Sequence, residues 1–275
     1  MIKSNDKSFR GWWWIFVAIV LLAVALRIFV VSLYQVSSVS MEPVLLSGDV
    51  IIVSKTSYGP RLLKLSSYLK NKTVEYCRLK GRRGIREGDI VVFSMPLHNI
   101  SSEFESPNAA GCVAKRILCL PGDTVLIENN MGRNDGITRF QIENQLFPHD
   151  SSLHWTLEKY GPLYVPAKGD SIELTEKNKC RYAEILLLEN PGRQIKDTAL
   201  TANGKNLTTY VFKKNYYFVL GDNFYNSFDS RFWGFVPEAN IIGEVKGILF
   251  SINPDKVGFR KFRFNRFFKT VCEQK

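Results

Sequence analysis

Two serines at alternate positions, Ser38 and Ser40, stand in Val36-Ser-Ser-Val-Ser-Met-Glu-Pro43, directly after the one long apolar segment of the chain. A serine hydroxyl becomes a nucleophile when a base takes its proton and donors receive the oxyanion that forms. Alternation in an extended strand puts both hydroxyls on one side, so one serine can attack while the other stabilises the charge. The three histidines, His98, His149 and His154, sit in polar, loop-like surroundings. The more suggestive base is Lys115, inside the apolar run Gly111-Cys-Val-Ala-Lys-Arg-Ile-Leu-Cys119. Neighbours in a strand face opposite ways, so either Lys115 or Arg116 points to the enclosed side. A lysine forced into an apolar site loses hydration of its charged form, and its pKa falls from about 10.4 toward neutrality. The bland alternative is a lysine that snorkels from a strand edge. A third group lies in the dense polar and aromatic stretch Gly221–Glu238, where Asp222, Asp229 and Arg231 are expected to fix one another by charge-assisted bonds. An ordered structural turn would read the same way.

These residues need a scaffold. The dipeptide Gly-Asp recurs at 48–49, 88–89, 122–123, 169–170 and 221–222. The first four lead into β-rich runs, and the fifth follows one, Tyr216–Leu220. Glycine supplies positive φ and Asp bonds its own backbone, so these are turns. Short strands between turns predict a mainly β fold, an antiparallel β domain. Leu62, Leu63, Leu65 and Leu69 in the basic stretch 60–86 are loosely spaced for a short amphipathic helix, and 98–111 is polar and turn-like. From about 129 to 214 the composition turns polar, which reads as an inserted subdomain.

Trp12–Tyr34 contains 23 residues with one charge, Arg27, and aromatic residues at both ends. That is long enough for a transmembrane helix. A cleaved signal peptide is the alternative, but no small-x-small site follows. The expected organisation is a stub 1–11, an anchor 12–34 and an extracytoplasmic domain 35–275. Lys3, Lys7 and Arg10 place the N-terminus in the cytoplasm by the positive-inside rule. A net charge of +11 calls for an acidic partner, and the anchor favours anionic lipid over nucleic acid. The tail 259–269 interleaves five Phe with five basic residues. It suits an interfacial lipid patch, or equally a terminal element with one buried face. Five cysteines cannot all pair within one chain, and Cys112 and Cys119 read as small buried hydrophobes.

The order of Ser38-Val-Ser40-Met-Glu-Pro, Gly88-Asp-Ile-Val-Val-Phe93, Lys115-Arg with Leu120-Pro-Gly-Asp123, and Gly221-Asp-Asn through Asp229-Ser-Arg231 to Trp233-Gly-Phe-Val-Pro237 resembles that in bacterial type I signal peptidases. The resemblance spans residues 12–250. It implies a Ser/Lys endopeptidase of the bacterial cytoplasmic (inner) membrane that removes signal peptides from exported preproteins. Ser40 would be the nucleophile, Lys115 the general base, and Ser38 with the Ser40 N–H the oxyanion hole. Ser227, Asp229 and Arg231 would support the base. Substrate would bind as an extended strand along Val36, Ser37, Cys112, Val113 and Ala114, with small-residue pockets near Met41, Leu45 and Ala114. Phe224-Tyr225 departs from the Arg-Asp common in the family, and Ser37 from a frequent proline. No metal or cofactor is implied. The partners would be signal-peptide-bearing preproteins and membrane lipid, with the protein acting as a monomer and binding no nucleic acid. A relative that matures one special substrate and a non-catalytic membrane adaptor are the rivals.

Overall fold

The protein is described by a computed structural model covering residues 6–63, 76–95, 111–128, 146–190, 201–202, 205–206 and 208–271. Helix α1 runs Asp6–Phe29. Its stretch Trp12–Phe29, 18 residues of mean hydropathy 2.3, is unburied by the rest of the chain. At about 1.5 Å per residue the whole helix is about 36 Å long, enough for a hydrocarbon core of about 30 Å. The expected anchor continued to Tyr34, but strand β1, Val31–Gln35, takes over two residues after the helix ends. Hydropathy cannot separate an apolar helix from an apolar strand. Here Val31 pairs with Ser54 and Gln35 with Val50, and that pairing decides the matter. Lys55 ties the junction, donating from Nζ to the carbonyls of Arg27 (2.7 Å) and Ile28 (3.3 Å) at the helix end.

The remaining strands are β2 (Asp49–Ser54), β3 (Arg61–Leu63), β4 (Tyr76–Arg78), β5 (Ile90–Ser94), β6 (Cys112–Cys119), β7 (Thr124–Glu128), β8 (Lys159–Tyr164), β9 (Ser171–Glu173), β10 (Thr201–Ala202), β11 (Lys205–Asn206), β12 (Thr209–Val211), β13 (Tyr216–Leu220), β14 (Val236–Pro237) and β15 (Ile241–Ser251). Seven of them form one sheet in the order β1-β2-β15-β5-β6-β13-β14. Every pairing in it is antiparallel, as expected. The long last strand β15 enters the middle of the sheet, and its register shifts against β2 and β5 mark bulges.

Four of the Gly-Asp turns share one construction. Gly48, Gly88, Gly122 and Gly169 have φ between 83° and 97°, the positive value that the third position of a type II turn requires. The following Asp carboxylate accepts the amide three residues back: Leu46 to Asp49, Arg86 to Asp89, Leu120 to Asp123 and Ala167 to Asp170, at 2.8 to 2.9 Å. Each carboxylate thus closes its own turn before the chain enters a strand. The fifth Gly-Asp is built differently, as the site shows.

Side chains from β5 alternate between two cores. Ile90 and Val92 join Val36, Met41, Leu45, Ile51 and Ile248 on one face. Val91 and Phe93 join Ile117, Val219, Trp233 and Ile241 on the other. The stretch expected to be a polar insertion packs a third core. Tyr160, Leu163, Leu174, Tyr182, Ile185, Leu186 and Phe212 gather with Val125 of β7 and with Tyr216 and Phe218 of β13. Its buried apolar residues follow strand spacing in β8 and helical spacing in Glu176–Glu189, and short runs such as Ile185–Leu188 sit among charged and polar residues, which is why the stretch reads as polar. Leu65, Leu69, His98 and most of 98–111 lie outside the described residues.

Candidate active site

Lys115 sits mid-way along β6 and is 1% exposed, whereas Arg116 stays half-exposed. The structure therefore chooses Lys115 for the enclosed side. By strand alternation it shares a face with Val113 and Ile117, the face covered by Val219 and Trp233. Its Nζ donates to Ser227 Oγ at 2.8 Å. Burial is the main force on its pKa, pulling it from 10.5 down to about 8. The Asp229 and Asp222 carboxylates oppose that fall, and the Arg231 guanidinium adds to it.

Ser227 follows a short 3-10 turn, Phe224–Asn226, and precedes the helical turn Ser230–Trp233. Asp229 caps that turn and holds the loop to β13. Its carboxylate accepts the amides of Gly221 (3.1 Å) and Arg231 (3.2 Å). It also accepts the Arg231 side chain through Nε and Nη2, both at 2.9 Å. Both members of this ion pair are 0% exposed. Arg231 further donates to the Phe224 carbonyl at 2.6 Å and stacks over its ring at 4.2 Å. Phe224, where the family pattern differs, thus packs on the loop's central cation.

The expected triangle of Asp222, Asp229 and Arg231 is corrected: Asp222 belongs to a different clasp. Arg116 donates to its two carboxylate oxygens at 2.6 and 2.7 Å, and to the Gly88 carbonyl at 2.8 Å. A two-residue separation lets Asp229 and Arg231 pair locally. Asp222 instead points across to β6, where β13 pairs Leu220 with Arg116.

The serine segment arrives from the other side. Val36 continues the β1–β2 ladder, with its amide on the Asp49 carbonyl and its carbonyl on the Gly48 amide, both at 2.8 Å. The chain then turns, and Ser38 Oγ lies 3.2 Å from Ser40 Oγ. Ser38 is exposed and Ser40 buried. Asn223 fixes the serine segment, donating from its amide to the Ser40 carbonyl and from Nδ2 to the Val39 carbonyl, both at 3.1 Å. Gly221 is where the two halves meet. A Cβ there would lie 2.1 Å from Ser227 Oγ and 2.4 Å from the Ser40 carbonyl oxygen. The backbone of residue 221 is thus the spacer between Ser227 and the Ser40 main chain. The hydrogen bonds formed among the described residues run Lys115–Ser227 and Ser38–Ser40, with no direct Ser40–Lys115 bond. Catalytic contacts of this kind often close only around substrate.

Of the substrate-binding candidates, Val36, Met41 and Leu45 are buried in one apolar cluster, with Cys112 and Ala114 packed partly buried against it. Ser37 is exposed beside them. Val113 is not with them, because alternation turns it to the opposite core. β13 covers β6 only from Arg116 to Cys119. Among the described residues no strand pairs with that edge of β6 at Ala114. Ile117 and Gly111 bond on the β5 side, so the backbone groups of Ala114 face the edge away from β5. Sequence reasoning missed Gly221, Asn223 and the Arg116–Asp222 clasp. The signal was present: the fifth Gly-Asp follows its strand instead of leading into one, and Gly221 has no positive φ to explain it.

An apolar N-terminal helix and a buried lysine bonded to a serine are what a membrane-anchored serine peptidase needs. The model of the family described as "Signal peptidase, peptidase S26" matches residues 9–250. The chain belongs to this family. It is 32% identical over 246 residues to signal peptidase I of Buchnera aphidicola subsp. Schizaphis graminum, covering 82% of this chain and 70% of the relative. It is 30% identical to that of Buchnera aphidicola subsp. Baizongia pistaciae, covering 84% and 73%. Against signal peptidase I of Haemophilus influenzae it is 27% identical, covering 89% and 71%.

Proposed function

We propose that the protein cleaves signal peptides from exported preproteins with a Ser40/Lys115 dyad. The observation that carries this reading is a buried, depressed-pKa lysine bonded to Ser227 (2.8 Å), the serine that meets the Ser40 backbone across Gly221. With a pKa of about 8, about a tenth of Lys115 is neutral at pH 7, enough to act as a base.

The preprotein lies as an extended strand beside Cys112–Lys115, bonding the backbone of Ala114 on the edge away from β5. Its side chains enter the apolar wall of Val36, Met41, Leu45 and Ala114, which admits small residues. Neutral Lys115 takes the Ser40 proton as Oγ attacks the scissile carbonyl. The tetrahedral oxyanion is received by the Ser38 hydroxyl and the Ser40 N–H. Lys115 then protonates the departing amine, which leaves an ester on Ser40. Water, deprotonated by Lys115, attacks that ester and frees the signal peptide and Ser40. Ser227, Asp229 and Arg231 act through Lys115, keeping its amine aimed. The N-terminus lies in the cytoplasm and residues 35–275 on the outer face of the cytoplasmic membrane, with the protein monomeric and its basic surface against anionic lipid.

Cleavage of a purified preprotein by wild type, Ser40→Ala and Lys115→Met in detergent tests the assignment. Both variants should lose at least about 10³-fold in kcat while remaining folded. Undiminished cleavage by either would refute the dyad.

A further inference from the structure

The family match ends at residue 250, yet the described chain continues to Val271. This last stretch folds back along β15. Phe262 bridges to Ile252 and Thr270 to Gly247. The amides of Arg263 and Val271 bond the carbonyls of Ser251 and Lys246 at 3.0 and 3.2 Å. On its inner side lies Arg266, 8% exposed. Arg266 donates through Nε and Nη2 to the Asp49 carboxylate at 3.1 and 2.6 Å, and through Nη2 to the Val44 carbonyl at 2.8 Å. Asp49 is 0% exposed and also accepts the Leu46 amide at 2.8 Å. Arg263 adds a bond to the Ser47 carbonyl at 2.8 Å. The tail therefore grips the loop 41–49 at Val44, Ser47 and Asp49. That loop leaves Ser40 directly and carries Met41 and Leu45, 1% and 0% exposed, into the apolar wall.

We propose that Arg266 is a positioning residue for substrate selection: it fixes the loop that sets the depth of the small-residue pocket. The proposal rests on the reading of the pocket given above. A guanidinium is suited to the task because its planar fork reaches two carboxylate oxygens and a carbonyl at once. A lysine at 266 keeps the charge opposite Asp49 but lacks the fork. Arg266→Lys therefore frees Val44 without leaving a buried carboxylate unpaired.

The test uses the full chain in detergent and two readouts. The first is amide hydrogen exchange over residues 41–49. In Arg266→Lys it should rise about tenfold or more while the rest of the sheet keeps its protection. The second is competition between two preproteins differing only in Ala or Val just before the cleaved bond. The variant should raise KM for the Ala preprotein about tenfold, hold kcat within about threefold, and lower the Ala-over-Val preference about fivefold. Arg266→Met strands the Asp49 charge and is expected to fold poorly. The double variant Asp49→Asn/Arg266→Met removes both charges and should reproduce the relaxed preference in a folded protein. Unchanged exchange in 41–49, or a loss confined to thermal stability and active fraction with KM and preference unmoved, overturns the proposal. If wild type cleaves neither preprotein the substrate reading fails, and the exchange result alone still decides whether the tail holds the loop.

Discussion

Lys115 is held where its own charge is least welcome. The proposed mechanism needs the amine neutral, and burial favours that form at the expense of stability. The fall from 10.5 to about 8 corresponds to about 3 kcal/mol of penalty on the charged form. The sign follows from the proton count: the unfolded lysine is protonated below about 10.5, the folded one only below about 8. The penalty grows as pH falls between those values and is constant below them. Lys115→Met loses the bond to Ser227, worth about 1 kcal/mol, yet should be more stable than wild type by about 2 kcal/mol at pH 7. The gain should vanish above pH 10.5. Denaturant unfolding at the two pH values checks this, and a variant less stable at pH 7 would contradict a lysine strained by burial. Legibility at this scale was uneven. That Lys115 or Arg116 must turn inward followed from alternation. Which of them did so depended on the Arg116–Asp222 clasp, a contact across 106 residues that no local pattern encodes.

At the scale of elements, the site is a meeting of two loops over strand β6 of the sheet. The Ser38–Ser40 segment leaves β1, Lys115 lies on β6, and the 221–231 loop leaves β13 and binds both. Gly221 is the narrowest point of that meeting. Gly221→Ala places a methyl within 2.4 Å of the Ser40 carbonyl oxygen and within 2.1 Å of Ser227 Oγ. Side chain and main chain must then separate, and misplacement of about 1 Å costs on the order of 10²-fold in rate. The variant should show that loss in kcat together with a melting point lowered by overpacking worth about 1–3 kcal/mol. Equal kcat would mean that the two halves need not touch. The turns were the most legible elements, because the Gly-Asp chemistry is local and four copies repeat it. The strand at Val31–Gln35 was hidden by its hydropathy, and the third core by its scattered apolar residues. In both cases the partner strand, not the segment itself, determines the structure.

For the whole molecule, the sheet hangs from α1 through the Lys55 junction, and the tail carries an outer face unlike its inner one. Phe259, Phe264 and Phe268 are 86%, 64% and 75% exposed, amid Arg260, Lys261 and Lys269. The inward Arg266 fits the alternative of a terminal element with one buried face, and the outward aromatic rings motivate the lipid patch as a proposal. Exposed rings among cations suit an anionic lipid surface. A chain lacking residues 1–30 should float with vesicles containing anionic phospholipid. Replacing the three Phe by Ser should lower the bound fraction at least about fivefold, leaving the Arg266 contact intact. Unchanged flotation would remove lipid from the tail's roles. The claim on which the account rests is that a neutral Lys115 activates Ser40, and the pH dependence of kcat/KM for a preprotein addresses it most directly. The rate should rise with pH through a midpoint of about 8, the value burial gives Lys115 in the free enzyme. A rate constant independent of pH between about 5 and 9 would contradict a lysine base.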